Sequence, residues 1–259
     1  MSGKKAHNST RKYGKRLSTL GGQIALRFDV NCIHDFRTTF KKLRALSRWL
    51  SPVKRPLTKS FTEVYHLSGE LRNAQVILKD TETQKEELRG FGNWLTTSIP
   101  RLEEQWYKIF DPSVARRLRE KIERWKTEKA DQEGLYRFCR KRVNRIRGIL
   151  YIPSPPDESL HEARKMLKDM QYVYEWSEKK EVTQDRPTLE ILKRIGHQAG
   201  IFNDKRIAVL QLIAYLEKET PEDSQTLVMI KSQWEESREK QKQELIATLD
   251  GFVNGNKWE

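Results

Sequence analysis

Apolar residues return every three or four positions through almost the whole chain, which is the spacing of one helix face. Alternating runs of β-branched residues, which would predict strands, are nearly absent. The pattern predicts a first group of helices at about residues 23–50, 57–79, 82–98, 101–110 and 113–150. A second group is expected at about residues 158–179, 187–200, 203–216 and 220–249. The predicted fold class is therefore all-α.

Prolines set most of the predicted helix ends, because a proline does not continue a helix. Residues 51–56 contain two of them, and Pro100 is expected to stop the third helix. Ser113 is predicted to cap the long fifth helix, and Thr220 to cap the last one ahead of Pro221.

The strongest break is the proline-rich segment 151–157. It divides the chain into a first helical half at residues 23–150 and a second at residues 157–250, before a short tail at 251–259.

The two halves share short motifs at constant offsets. The segment 33–37 (IHDFR) matches 160–164 (LHEAR) at an offset of 127 residues. Further matches at this offset are Lys41 with Lys168 and Trp49 with Trp176. Matches at an offset of 131 are His66 with His197, Gly69 with Gly200, and segment 71–73 with segment 202–204. These matches predict two diverged copies of one helical unit, which we expect to pack about a pseudo-two-fold axis.

Positive charge is concentrated in the first part of the chain. The 259 residues include 50 Lys and Arg against 36 Asp and Glu, a formal net charge of +14. Residues 1–150 hold 34 of these cations and 16 of the acids, so the remainder is mildly acidic. Residues 1–22 combine cations with Gly, Ser and Asn and are predicted to form a flexible basic arm. An excess of this size predicts an anionic partner.

The first copy places its cations in phase with its helix. His34, Arg37, Lys41, Arg44 and Arg48 follow one another at spacings of 3, 4, 3 and 4, so they form one stripe. The apolar stripe of the same helix is centred about 100° away, so the basic stripe is predicted to border the core and to line a groove or interface. Like charges on one stripe destabilise an isolated helix, which favours a bound anion or partner over a solvated face.

The second copy repeats this geometry with fewer charges. His161, Arg164 and Lys168 take the same phase, with Lys165 beside them, but Gln171 stands where the first copy has another arginine. A third set flanks an apolar stripe late in the long fifth helix and consists of Arg137, Arg140 and Arg147. A solvated face and a ligand site are equally good interpretations of this third set.

Sequence motifs for catalysis or cofactor binding are not found. Five histidines and two cysteines show no zinc-site spacing, and there is no glycine-rich nucleotide loop or nucleophile elbow. We therefore expect a protein that is not an enzyme and holds no metal or cofactor. Few cysteines and the lack of an apolar run of about 18 residues favour a cytoplasmic protein without membrane contact.

The histidine motifs resemble the signatures of the CHAD family, the conserved histidine α-helical domain. Segment 33–44 looks like the first signature, and segment 160–172 looks like its counterpart. Segments 67–76 and 199–204 are similar to the family's L-G-x-x-R-D-x-x-V segments, with Asn73 where Asp is usual. The resemblance covers about residues 25–250.

This resemblance implies two helical-bundle halves around a basic central channel that binds inorganic polyphosphate, often at polyphosphate granules. The ligand set implied at matching positions is His34, Arg37, Lys41, Lys42, Arg44, His161, Arg164, Lys165 and Lys168. Arg48, Arg72 and the third arginine set complete the candidate polyphosphate-binding residues. Asp169 and Gln171 stand where the family usually has basic residues, so the second half is expected to contribute less.

Two other functions remain open at this point. A basic helical protein that binds DNA or RNA is favoured by the charge of residues 1–150, and nucleic acid is an expected additional partner at low salt. A protein-interaction scaffold is favoured by the acidic second half, which would then bind a partner protein. The basic stripe shows no aromatic stacking platform, which argues against single-stranded nucleic acid.

Overall fold

The computed structural model describes residues 3–50, 57, 59–81, 86–125, 130–183, 185–219 and 224–255. These residues hold nine α-helices and no strand, which confirms the all-α prediction. The helices are α1 (Gly3–Arg27), α2 (Val30–Leu50), α3 (Lys59–Thr81), α4 (Arg89–Ile109), α5 (Pro112–Arg124), α6 (Gln132–Leu150), α7 (Asp157–Lys179), α8 (Arg186–Lys218) and α9 (Ser224–Val253). The predicted break at 51–56, the predicted helix start at 82 and the predicted Thr220 cap lie outside the described residues.

The chain divides into two compact units. The N-terminal unit comprises Gly3–Glu128 and Gln211–Ile230, and the C-terminal unit comprises Lys129–Leu210 and Lys231–Glu259. The sequence placed the division later, at residues 151–157. The difference arises because α6 packs against α7 and so belongs to the C-terminal unit.

The first helix differs from the sequence-based expectation of a flexible arm. α1 packs against both α2 and α5. Its buried face consists of small or apolar residues at helical spacing, namely Ala6, Thr10, Gly14, Leu17, Leu20, Gly21 and Ile24. A Cβ at Gly14 would lie 2.6 Å from Ile122 Cδ1, so the two helices approach closely there. Small residues carry little hydrophobic signal, and this face is therefore hard to recognise in the sequence.

The junction between α1 and α2 fixes the start of α2. Phe28 has a left-handed φ of 47° and ends α1. The Asp29 carboxylate then accepts hydrogen bonds from the backbone N–H groups of Asn31 and Cys32 at 3.0 and 2.8 Å, as an N-cap does. Gln75 of α3 donates to the Phe28 carbonyl at 2.8 Å, which ties this junction to α3.

Two predicted helix ends lie inside helices. Pro100 is part of α4, with the buried Leu95 before it and Trp106 after it. Gly200 lies inside α8, beside the buried Ala199 and Phe202. In both places the packing of apolar neighbours outweighs the local helix cost, which is about 1 kcal/mol for glycine and about 3 kcal/mol for proline.

The predicted helix over 113–150 is two helices. Asp111, rather than Ser113, caps α5 by accepting from the Val114 N–H at 2.9 Å. Asp131 caps α6 by accepting from the Gly134 N–H at 2.8 Å. Both aspartates are short acceptors that suit a cap, so the second cap was readable from the sequence.

Candidate functional site

The basic stripe of α2 borders the core of the N-terminal unit. The apolar stripe beside it is fully buried and consists of Ile33, Phe36, Phe40 and Leu43. The cations of α2 are half-buried: Arg37, Lys41, Lys42, Arg44 and Arg48. His34 begins the stripe and is exposed. Half-burial at the core edge is the position that the helical phase predicted.

Arg37 is held by α3 through several contacts. Its Nη1 donates to the Tyr65 carbonyl at 2.9 Å and to Ser68 Oγ at 3.2 Å. Its guanidinium carbon lies 4.6 Å from the centroid of the Tyr65 ring. A Cβ at Gly69 would lie 2.5 Å from Arg37 Nη1, so this glycine leaves room for the guanidinium.

Arg44 contacts the same aromatic ring. Its guanidinium carbon lies 5.1 Å from the centroid of Tyr65 and 6.0 Å from that of Phe40. Arg44 Nε is buried and has no hydrogen-bond partner among the described residues. Two arginines of the stripe thus share one ring, contributed by α3.

His34 stands in a field of positive charge. Its pKa lies below the ordinary value, first because the surrounding protein desolvates the ring and then because cations lie close by. Those cations are Arg72 of α3 and Lys41 and Arg37 of α2. Asp35 acts in the opposite direction. The neutral ring can donate one hydrogen bond, and an anion bound here would favour its protonation.

The C-terminal unit places His161 of α7 against α8. His161 Nδ1 lies 2.6 Å from Asn203 Oδ1, and because an amide oxygen only accepts, Nδ1 is the donor. The pKa of His161 is lowered to about 4, first by burial and then by nearby positive charge. The cations responsible are Lys165, Arg164 and Arg206. This second histidine therefore lies in the same kind of field as His34.

The lysines of α7 have partners on their own helix. Lys165 Nζ lies 2.6 Å from Glu162 Oε1, and Lys168 Nζ donates to Gln171 Oε1 at 2.9 Å. The pKa of Lys168 is lowered, first by desolvation and then by the positive charge of Arg164. Gln171 stands at the position that the offset of 127 residues aligns with Arg44. It accepts a hydrogen bond from Lys168 and adds no positive charge of its own.

The aligned residues Arg72 and Asn203 occupy related positions. Each comes from the helix that follows the histidine helix, and each acts directly on the histidine of its own unit. Both residues thus contact or influence a motif histidine, although Arg72 is a cation and Asn203 is neutral.

The aligned glycines Gly69 and Gly200 do not play the same part. No neighbouring atom of the described residues lies within 4 Å of a Cβ built at Gly200. A Cβ at Gly196, however, would lie 3.1 Å from Gln171 Oε1 and 3.2 Å from Lys168 Nζ. Gly196 follows Gly69 at the offset of 127 residues that also relates the histidines.

The third arginine set of α6 makes other contacts. Arg137 pairs with Glu133 at 3.4 Å on the surface, and Arg140 is exposed. Arg147 Nη2 donates to the Val253 carbonyl at 2.6 Å and so stabilises the C-terminal end of α9. The structure gives Arg147 a role in packing within its unit.

Asp169, which departs from the family pattern, faces α6. It is buried and pairs with Arg142 at 3.4 Å. The Arg142 guanidinium carbon also lies 3.3 Å from the centroid of the Phe138 ring. The carboxylate is therefore engaged at the contact between α6 and α7.

Sequence reasoning missed two residues beside the histidine motifs, Tyr65 and Arg206. Tyr65 precedes Gly69 by four residues, and Arg206 follows Asn203 by three. Residues three or four apart share a helix face, so a search at these spacings from the motif residues would have found both.

The site offers positive charge and N–H donors. Guanidinium and ammonium groups suit the oxygens of phosphate or carboxylate, and guanidinium does so with a planar fork. Within the described ranges, no group of His, Cys, Asp and Glu side chains is arranged to hold a metal ion. None of the described helices has the length and apolar character needed to cross a membrane.

Comparison with known proteins gives one family and one fold. The family model of the CHAD domain matches residues 20–207. The crystal structure of the CHAD domain from the plant Ricinus communis is similar to this chain, with a TM-score of 0.70. The match has 13% sequence identity and covers 97% of this chain and 90% of that one, and at this identity it shows a shared fold. No curated protein sequence matches the chain.

Proposed function

This chain belongs to the CHAD domain family, and we propose that it binds inorganic polyphosphate without catalysing a reaction on it. The family is associated with polyphosphate binding. The observation that carries the proposal is the recurrence of one arrangement: in each unit, a motif histidine lies in the field of three cations. A single such cluster has many explanations, but its recurrence in both copies of the motif favours a shared ligand.

The proposed binding residues form two groups. The α2 cluster consists of His34, Arg37, Lys41, Lys42, Arg44, Arg48 and Arg72. The α7 cluster consists of His161, Arg164, Lys165, Lys168 and Arg206. Arg137 and Arg140 are proposed as outer contacts, whereas Arg147 has a smaller part because its guanidinium holds the end of α9.

The chemistry of both clusters suits a chain of phosphates. Every phosphate of such a chain carries negative charge, and cations spaced along one helix stripe meet successive charges. Arg44 Nε and Arg164 Nε are buried donors without hydrogen-bond partners among the described residues.

Titration of the protein with polyphosphate at several salt concentrations tests the proposal. Wild-type protein is expected to bind with an affinity that falls steeply with salt, because binding releases counterions. The double substitution Arg37→Glu/Lys41→Glu should weaken binding at least about 100-fold while helical circular dichroism stays unchanged. Equal affinity of this folded variant and the wild type would overturn the proposal.

Nucleic-acid binding is the second candidate function, favoured by a separate basic surface. α1 carries no acidic residue and packs against α5. The exposed cations of the two helices are Arg11, Lys12, Lys15, Arg16, Arg27, Arg116, Arg117, Arg119, Lys121 and Arg124. Competition at equal phosphate concentration separates the candidates: displacement of bound polyphosphate by duplex DNA would favour nucleic acid.

A further inference from the structure

Tyr65 occupies a special place beside the α2 cluster. Its ring centroid lies 4.6 Å from the guanidinium carbon of Arg37 and 5.1 Å from that of Arg44. Both distances are within the range of a cation–π contact, which extends to about 6 Å. One side chain of α3 therefore contacts two cations that lie seven residues apart on α2.

The ring itself is held firmly by its neighbours. Tyr65 is 8% exposed and stacks on Phe40 with centroids 4.4 Å apart and planes 14° apart. Phe40 in turn stacks on Phe61 at 6.5 Å. Both Phe40 and Phe61 belong to the buried core, so the ring presents a fixed surface to the guanidinium groups.

The Tyr65 backbone adds a second restraint on Arg37. The Tyr65 carbonyl accepts from Arg37 Nη1 at 2.9 Å and from Ser68 Oγ at 2.7 Å. Ser68 Oγ also lies 3.2 Å from Arg37 Nη1. Hydrogen bonds at one nitrogen and the contact with the Tyr65 ring therefore orient the Arg37 guanidinium, a group that carries five N–H donors in all.

We propose that Tyr65 is a positioning residue that holds Arg37 and Arg44 together, so that both guanidinium groups bind the same polyphosphate chain. The inference rests on the proposed function. Arginine side chains that are already ordered lose less entropy on binding than mobile ones, so this arrangement increases affinity. It also offsets the repulsion between like charges in the protein without ligand.

The two guanidinium groups converge on the ring although their helix positions are seven residues apart. Their central carbons lie 4.6 and 5.1 Å from the same centroid, so neighbouring phosphates of one chain can meet both groups together. Loss of the shared ring is expected to weaken polyphosphate binding, because the two groups are then no longer held together.

The test compares Tyr65→Leu with the conservative Tyr65→Phe by calorimetry, using long-chain polyphosphate as the probe. Tyr65→Leu should weaken polyphosphate binding about fivefold to tenfold, whereas Tyr65→Phe should stay within twofold of the wild type. In an Arg37→Gln/Arg44→Gln background, Tyr65→Leu should have no further effect, because the cations that it positions are absent.

The outcomes separate this inference from the proposed function. A wild type that does not bind polyphosphate refutes the proposed function, and this inference with it. Two other results overturn the positioning role alone. One is wild-type polyphosphate affinity that Tyr65→Leu leaves unchanged. The other is an equal loss of affinity when Tyr65→Leu is made in the background that lacks the two arginines.

Because Tyr65→Leu changes a buried residue, Arg44→Lys provides a second variant at a half-exposed position. It keeps the charge but loses the planar contact, so unchanged long-chain affinity would also contradict the inference.

Discussion

The α2 cluster and the α7 cluster begin with the same motif but lie in different surroundings. α2 carries five cations and one acid, whereas α7 carries four cations and six acids. In the α2 cluster, Arg72 of the following helix adds charge beside His34, and the aligned position in the C-terminal unit is the neutral Asn203. The two motifs share the histidine and its first cations, whereas the residues around them differ.

This difference indicates unequal roles in binding. Within the α7 cluster, Lys165 lies against Glu162 at 2.6 Å and Arg206 against Glu158 at 2.7 Å. A phosphate chain bound to this cluster would have to displace or tolerate these carboxylates. We therefore expect the α2 cluster to bind polyphosphate more tightly than the α7 cluster.

The largest expected effect comes from neutralising equivalent cations in the two clusters. Arg37→Gln/Lys41→Gln should weaken polyphosphate binding about 100-fold, because two charge-assisted contacts are lost. The matched pair Arg164→Gln/Lys168→Gln should weaken it about tenfold or less. Calorimetry at constant salt measures both, with thermal unfolding as the control for folding. An equal loss in the two variants would break the proposed asymmetry.

Asp157 and Asp35, which lie close to His161 and His34 in the sequence, should contribute unequally to the stability of the protein. Asp157 lies 3.0 Å from Arg238 Nη1 and 3.2 Å from Lys242 Nζ, and Lys242 is only 7% exposed. Asp157→Asn removes the carboxylate that both cations contact, although Arg238 also lies 3.6 Å from Glu239. It should lower the free energy of unfolding by about 3 kcal/mol.

The control for this stability effect is Asp35→Asn. Asp35 pairs with Arg16 at 2.6 Å, but both side chains are about half exposed. This substitution should cost less than about 1 kcal/mol. Urea unfolding measures both variants, and a smaller loss for Asp157→Asn than for Asp35→Asn would contradict the role given to burial.

The pH dependence of binding should come mainly from the α2 cluster. In the free protein, the pKa values of His34 and His161 lie below their ordinary value, and a bound polyanion raises them. Affinity should therefore be highest at low pH and fall, by about tenfold per unit of pKa difference, as the pH rises through the pKa of the bound state.

Substituting each histidine in turn shows which of them causes the pH dependence of binding. His34→Gln should flatten the profile between about pH 5 and 8 more than His161→Gln, because His161 starts from a pKa of about 4 and its Nδ1 is bonded to Asn203. Binding titrations over this pH range provide the measurement. A profile that only His161→Gln flattens would reverse the assignment.

The smallest effects are expected at the glycines that the sequence aligned. Gly200→Ala meets no neighbour and should stabilise α8 by up to about 1 kcal/mol, because alanine is the better helix residue. Gly69→Ala pushes against Arg37 Nη1 and should weaken polyphosphate binding severalfold with little gain in stability. Thermal unfolding and binding of both variants check this, and equal behaviour of the two alanines would show that Arg37 adapts freely.

The sequence was sufficient to predict the fold class and the phase of the α2 stripe. His34 to Arg48 follow the helical period closely, and the buried Phe36 and Phe40 lie where that period places them. The period reports which face of a helix is buried, so it could locate the cations relative to the core. It does not report which side chain of another helix lies opposite, so Tyr65 could be found only through its four-residue spacing from Gly69 on α3.

The hydrophobic pattern could not predict the packing of α1 or the role of the third arginine set. The buried face of α1 contains Gly14 and Gly21, and a Cβ at Gly21 would clash with the Phe110 ring. Glycine there permits a close approach of helices, yet in a sequence it resembles a turn residue. The hydrophobic pattern also could not decide the role of the third arginine set. The reason is that Arg147 binds the backbone carbonyl of Val253, more than a hundred residues away in the sequence.

The packing of α1 has a practical consequence for anyone who wishes to express a shorter form of the protein. The family match begins at residue 20, inside α1, and ends at residue 207, inside α8. A chain trimmed to these limits would lose Ala6, Thr10 and Leu17 and leave the apolar faces that α1 covers open to water. It would also lose Tyr215, whose ring packs against Phe91 within the N-terminal unit. The recognisable part of the sequence is therefore smaller than the part that has to fold together, and such a fragment should aggregate however well it preserves the histidine motifs.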